Sequence, residues 1–196
     1  QTVNCPVFDV FKLDDIFNNG NVKDQFKCGQ MLYDGNGVDT YGYLINQDYA
    51  KALNWFHRAA DQHHPEAQYK LGQMYANGLG TEKNVDRALV WYLAAAGQDH
   101  AKAQYEIGNM HFNGRGVEKD LSKALKFYEK AAAQGLPEAQ YRLGNMYYLG
   151  DGVEKDSSKA FNCFSMAAAQ NHILSTFLLG RIYCYGESVN INYEKR

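Results

Sequence analysis

AQYEIGNMHFNGRGVEKDLSKALKFYEKAAA, residues 103–133, is one full statement of a phrase that this chain repeats. Its Gly108 has counterparts at Gly72, Gly144 and Gly180, each 36 residues from the next, in YKLGQMYANGLG, YRLGNMYYLGDG and FLLGRIYCYGES. A further copy, FKCGQMLYDGNG, surrounds Gly29. A second phrase keeps the same step: ALNWFHRAA, ALVWYLAAA, ALKFYEKAA and AFNCFSMAA begin at Ala52, Ala88, Ala124 and Ala160. Repetition at this period marks stacked units, none of which can bury its apolar face alone. Such a stack offers an extended surface rather than a catalytic pocket.

Each unit reads as two helices. Pro65 and Pro137 stand where a first helix begins, a position at which proline loses no hydrogen bond. Ala67, Leu71, Met74 and Tyr75 then follow at helical spacing, and Gly78 and Gly80 end the helix. Asn84, Asp120 and Asp156 share one repeat position and read as N-caps of a second helix. That helix carries Ala88, Leu89, Trp91, Tyr92, Ala95 and Ala96. Gly72 and its counterparts fall inside the first helix, where glycine is about 1 kcal/mol worse than alanine. Its recurrence in every unit predicts a close helix crossing with no room for a side chain.

The phrase A-x-x-x-L-G-x-M-Y-x-x-G-x-G-V-x-K-D-x-x-K-A-L-x-x-Y-x-x-A-A resembles the Sel1-like repeat, a relative of the tetratricopeptide repeat. The resemblance runs from about Asp24 to the C-terminus and implies an all-α fold, a right-handed α-α superhelix (solenoid) of helix pairs. It also implies an adaptor or scaffold role without naming a pathway. On this reading residues 1–23 form an N-terminal capping helix. Repeat 1 covers 24–66, with a loop insertion at 38–45. Repeats 2, 3 and 4 cover 67–102, 103–138 and 139–174, and a truncated repeat 5 covers 175–196. The insertion, apolar and aromatic, is expected to pack back on the N-terminal cap; partner contact is the alternative. Arg196 falls where the second helix of repeat 5 should bring its first alanine. The chain therefore reads as a piece of a longer repeat protein, with an apolar strip near Phe177, Leu178 and Tyr185 left open.

Composition narrows the class further. A formal net charge of −2 without a basic stripe argues against nucleic acid or an acidic membrane surface as the main partner. No apolar run is long enough to span a bilayer. Gln1 opens the chain without Met or a signal peptide, as in a mature secreted form or an excised piece. No Asn-x-Ser/Thr sequon occurs, which favours the cytoplasm, with a secretory or endoplasmic-reticulum-lumenal compartment as the alternative.

Cys5, Cys28, Cys163 and Cys184 form no metal-ligand spacing. Cys163 and Cys184 are expected to be neighbours across a helical hairpin, as free thiols rather than a disulfide. His64, His100 and His172 share one repeat position. Stacked helices stand roughly 10 Å apart, too far for shared metal coordination, so these histidines read as helix-entry residues. No nucleophile elbow, phosphate loop or distinctive carboxylate pair occurs, so no cofactor, metal or catalytic residue is assigned. A hydrolase, an activity associated with a Cys-rich branch of the family, is disfavoured for the same reason.

If the first helices line the concave side, as the resemblance implies, the inward residues are Tyr69, Gln73 and Asn77; Tyr105, Asn109, Phe112 and Asn113; Tyr141, Asn145 and Tyr148; Phe177, Arg181 and Tyr185. Amides can bond an extended peptide backbone, and aromatic rings supply contact area at low entropic cost. The expected partner is a protein or peptide segment. The alternative is another domain of the same longer protein, docked intramolecularly.

Overall fold

A computed structural model of the chain describes residues 7–8, 20–36, 38–39 and 44–185. They form two compact units, within residues 1–98 and 99–196. The first holds α1 (Val22–Asp34), α2 (Tyr49–Asp61), α3 (Pro65–Asn77) and α4 (Val85–Ala96). The second holds α5 (Ala101–Asn113), α6 (Leu121–Ala133), α7 (Pro137–Leu149), α8 (Ser157–Ala168) and α9 (Ile173–Tyr185). The helices pair in sequence as α1–α2, α3–α4, α5–α6 and α7–α8, with α9 packed on α8. The fold is an all-α solenoid of helix pairs.

Val7–Phe8 (β1) pairs in parallel with Val38–Asp39 (β2). Residues 7–8, inside the stretch expected to be helical, are thus extended. The rest of 1–19, and residues 40–43 of the insertion, lie outside the described residues. The start of the insertion, Val38–Asp39, pairs with the N-terminal segment. The reason is elementary: an extended backbone satisfies its polar groups by pairing with another.

The glycine inside each first helix meets an aromatic ring of the second. A Cβ on Gly29 would lie 2.7 Å from Phe56 Cδ1, on Gly108 2.6 Å from Tyr128 Cε1, and on Gly144 2.6 Å from Phe164 Cε1. Gly72 meets Tyr92 in the same way. Carbon atoms in contact ordinarily keep about 3.5–4.0 Å, so a methyl group cannot be inserted without displacing the ring. Alanine provides the rest of the close approach. Ala52, Ala88, Ala124 and Ala160 are fully buried, as are Ala59, Ala95, Ala131 and Ala167. A Cβ on Gly180 would meet no described atom within 4 Å beyond its chain neighbours and the backbone of its own helix.

The hairpin turns are fixed at both ends. Gly114 and Gly150 close α5 and α7 at φ 68° and 82°, their N–H groups donating to Met110 and Met146 carbonyls. Asp120 and Asp156 then cap α6 and α8: each side chain accepts from Lys123 or Lys159 N–H at 2.9 Å. Their own N–H groups donate back to the His111 and Tyr147 carbonyls, tying each loop to the helix it leaves. The later glycine of the loop packs outward: a Cβ on Gly152 would lie 2.5 Å from Leu121 Cβ, in the preceding pair.

On the first helices α3, α5 and α7 a buried glutamine recurs, bonded by a glutamine that follows the second helix of the pair. Gln98 donates to Gln68 at 2.8 Å, Gln134 to Gln104 at 2.7 Å and Gln170 to Gln140 at 3.0 Å. Gln68 and Gln140 in turn donate to Ala60 and Ala132 carbonyls of the preceding second helix. Each buried amide is therefore satisfied: the Gln–Gln bond ties the two helices of a pair, and the bonds to Ala60 and Ala132 tie a pair to the one before it.

Gly108→Ala is expected to lower stability by about 1–3 kcal/mol, because overpacking against the buried Tyr128 outweighs the gain in helix propensity. Gly97→Ala is the control. Its φ is −65° and its nearest contacts are ordinary, so it is expected to stabilise by about 0.5–1 kcal/mol. Denaturant midpoints of the two variants should move in opposite directions.

Candidate interaction surface

In the first unit the expected surface residues separate by depth. Tyr69 is buried, with its ring 5.9 Å from that of Tyr92, and belongs to the core. Gln73 is half-buried and donates to the Tyr69 hydroxyl at 2.9 Å. Asn77 is exposed and donates to the Gln73 carbonyl.

In the second unit Tyr105 and Phe112 lean on Tyr128, with ring centroids at 5.9 and 6.4 Å. Tyr141 and Tyr148 lean on Phe164 in the same way, at 6.1 and 6.5 Å. These four rings are half-buried, so each gives one side to the core and one to the surface. Asn113 is exposed and donates to the Asn109 carbonyl at 2.8 Å. On α9, Phe177 and Arg181 are exposed, with Phe177 at 62%. Leu178 is only half-exposed, and the side chain of Tyr185 lies outside the described residues.

Asn109 is held from within. Its Oδ1 accepts the Tyr128 hydroxyl at 2.8 Å and its Nδ2 donates to Glu106 at 3.3 Å. Burial raises the Glu106 carboxyl above its ordinary range, partly offset by that Asn109 bond and by Arg115. Burial also drives the Tyr128 phenol well above its ordinary value. Arg142 is exposed and stands near the Tyr105, Tyr128 and Tyr141 hydroxyls, which hold its guanidinium in the charged form. Lys155 Nζ stands 5.6 Å from the centre of the Tyr148 ring.

The shared-position histidines are helix N-caps. His64 and His100 Nδ1 accept from Ala67 and Ala103 N–H, each at 3.2 Å, and His172 Nδ1 accepts from Ser175 N–H at 3.3 Å. Leu136, their counterpart, makes no side-chain cap bond. The residue before each cap takes a left-handed backbone: φ is 60° at His63, 59° at Asp99, 88° at Gly135 and 63° at Asn171. Among the described residues no three His, Cys, Asp or Glu side chains gather as a metal site. No described helix is long and apolar enough to cross a membrane.

Cys163 is a free, buried thiol packed beside Gly144, and Cys28 is another. Cys5 and the side chain of Cys184 lie outside the described residues, so the expected neighbouring pair does too.

The Sel1 repeat family matches residues 22–64, 65–100, 101–136, 137–172 and 173–195, and the chain belongs to that family. It is similar to a Sel1 repeat protein from Oxalobacter formigenes, at 31% identity and a TM-score of 0.81, over 91% of this chain and 70% of that one. A protective antigen of uropathogenic Escherichia coli with an SLR fold gives 29% identity and a TM-score of 0.79, over 91% of this chain and 38% of that one. Mouse protein sel-1 homolog 2 is 36% identical over 67 residues, which is 34% of this chain and 9% of that protein. The chain thus spans a small part of that curated relative.

Burial pushes the Cys28 thiol up to about 12, with Asp24 adding, and the Cys163 thiol up to about 11, with Glu129 adding. The unfolded chain releases these protons near the ordinary value of 9.0, and the folded chain holds them longer. Stability contributed by the protonated thiols is therefore complete below that value and falls as pH rises toward about 11. Denaturant midpoints across this window should decline, and the decline should flatten when Cys28 and Cys163 are both replaced by Ala.

Proposed function

We propose that the chain is a non-enzymatic interaction scaffold that holds a segment of another protein along the exposed face of its first helices. The observation carrying this reading is the row of half-buried rings Tyr105, Phe112, Tyr141 and Tyr148, interleaved with amides, on α5 and α7. Each ring is fixed by a core ring behind it, so contact with a partner needs little further ordering. Amides between them offer donors and acceptors to a backbone that has left water. Membership of the Sel1 repeat family, related to tetratricopeptide repeats, supports the same class of role.

A second reading is an intramolecular docking module of a larger protein. It draws on α9, where Ile173, Leu174, Phe177 and Tyr183 are all exposed. A scaffold captures foreign proteins on its own, whereas a docking module binds chiefly its own flanking sequence.

Capture from a lysate with immobilised chain is expected to fall by about tenfold for bound partner when Tyr141 and Tyr148 are both replaced by Leu, since interface rings carry much of the affinity. The comparison is Lys126→Ala with Lys130→Ala on the exposed side of α6, which should leave capture unchanged. Loss with the α6 pair and retention with the ring pair would place the contact on the second helices.

A further inference from the structure

Asn109 and Asn145 stand at one repeat position, yet only one of them is engaged inside the protein. The ring facing Asn109 is Tyr128, whose hydroxyl donates to the Asn109 Oδ1 at 2.8 Å. The corresponding ring for Asn145 is Phe164. It is seated as Tyr128 is: 2.6 Å from a Cβ on Gly144, and 6.1 and 6.5 Å from the Tyr141 and Tyr148 rings. The two pairs differ there by a single hydroxyl group. Glu106, the other partner of Asn109, is replaced by Arg142, which offers donors only. The Asn145 side chain accordingly makes no hydrogen bond among the described residues.

The charges nearby favour one kind of partner. Arg142 lies one turn before Asn145 on the same side of α7, and its side chain is exposed. Arg181 occupies the Asn145 position on α9 and is exposed. Lys155 sits over the Tyr148 ring. Of the carboxylates on the first helices of this unit, Glu106 is bonded to Asn109, and Glu138 lies in the first turn of α7, where a carboxylate offsets the helix dipole. Asp151 and Glu154 belong to the loop beyond α7.

We infer that Asn145, flanked by Arg142 and Arg181, is the residue that grips a partner backbone, and that the partner is an extended acidic segment of another protein. The Asn145 side chain would accept from a backbone N–H and donate to a backbone carbonyl, while the two guanidinium groups receive carboxylates. Asn109, already committed to Tyr128 and Glu106, holds α5 to α6 and takes no part in binding. This inference rests on the segment-binding reading above and names the chemistry of its partner.

The test uses the full chain and three pools of fluorescein-labelled twelve-residue peptides: one rich in Asp and Glu, one with Asn and Gln in their place, one with Lys and Arg. Anisotropy is expected to give at least about tenfold tighter binding of the acidic pool than of either other pool, with affinity falling as salt rises. Asn145→Ala should weaken it about tenfold, the scale for losing a hydrogen-bond set. Arg142→Ala and Arg181→Ala should each weaken binding and reduce its salt dependence. Asn109→Ala should lower the melting temperature and leave affinity within about twofold. Phe164→Tyr supplies the missing hydroxyl. It should raise the melting temperature and weaken binding, because Asn145 is then engaged from within.

Equal losses from Asn109→Ala and Asn145→Ala, or unchanged binding by Phe164→Tyr when it raises the melting temperature, would overturn the assignment to Asn145. Equal binding of acidic and neutral pools, still lost in Asn145→Ala, would overturn the acidic class and leave segment binding standing. Absence of binding to all three pools, or binding insensitive to every first-helix substitution, would remove the segment-binding reading as well.

Discussion

A ring lying on a bare glycine Cα is the contact from which the rest of this structure follows. In each helix pair from α1–α2 to α7–α8, a glycine of the first helix admits Phe56, Tyr92, Tyr128 or Phe164 of the second to a distance that a methyl group would block. The approach fixes the helices along their length as well as across it, because each ring also touches aromatic neighbours a turn away on the first helix. A glycine inside a helix costs about 1 kcal/mol in propensity. Burial of an aromatic side chain, worth about 1.5–3 kcal/mol, offsets that cost.

Once the rings are fixed, the polar groups behind and in front of them have definite places. Gln–Gln bonds join the two helices of a pair at its far end, and the buried Gln68 and Gln140 reach carbonyls of the preceding pair. On α5 and α7 the half-buried rings Tyr105, Phe112, Tyr141 and Tyr148 lean on the same core rings, and Asn109 is bonded by Tyr128. In the proposed reading the recognition surface is a product of core packing, and a change of one core atom reaches it. Asn109 is engaged by the Tyr128 hydroxyl and by Glu106, and at Asn145 both are replaced, by Phe164 and Arg142. Repetition supplies similar frames in which such differences stand out.

The helix pairs, their caps at Asn84, Asp120 and Asp156, and the tight crossing at Gly72, Gly108 and Gly144 were all legible in the sequence, because a repeat displays each constraint several times. The histidine caps were only half legible. His64, His100 and His172 were placed at helix entries, but imidazole seldom caps, and composition gives no sign that Nδ1 would accept the N–H. The buried glutamines escaped notice although Gln68, Gln104 and Gln140 keep the repeat step, because glutamine is commonly an exposed residue and its partner lies 30 positions away. Tyr69 was assigned to the surface and lies in the core, since spacing alone gives a face but not the depth of a large side chain. The extended pair Val7–Phe8 and Val38–Asp39 has no periodic signature, being two residues long on each side.

The most direct test of the central claim is where a bound partner touches the chain. A photoreactive phenylalanine analogue placed at position 148, on α7, or at position 126, on α6, would report contact within a few ångströms of its ring. With captured partner present, crosslinks at position 148 and none at position 126 are the result this account predicts. Crosslinks at position 126 alone would contradict it and put the recognition surface on the second helices.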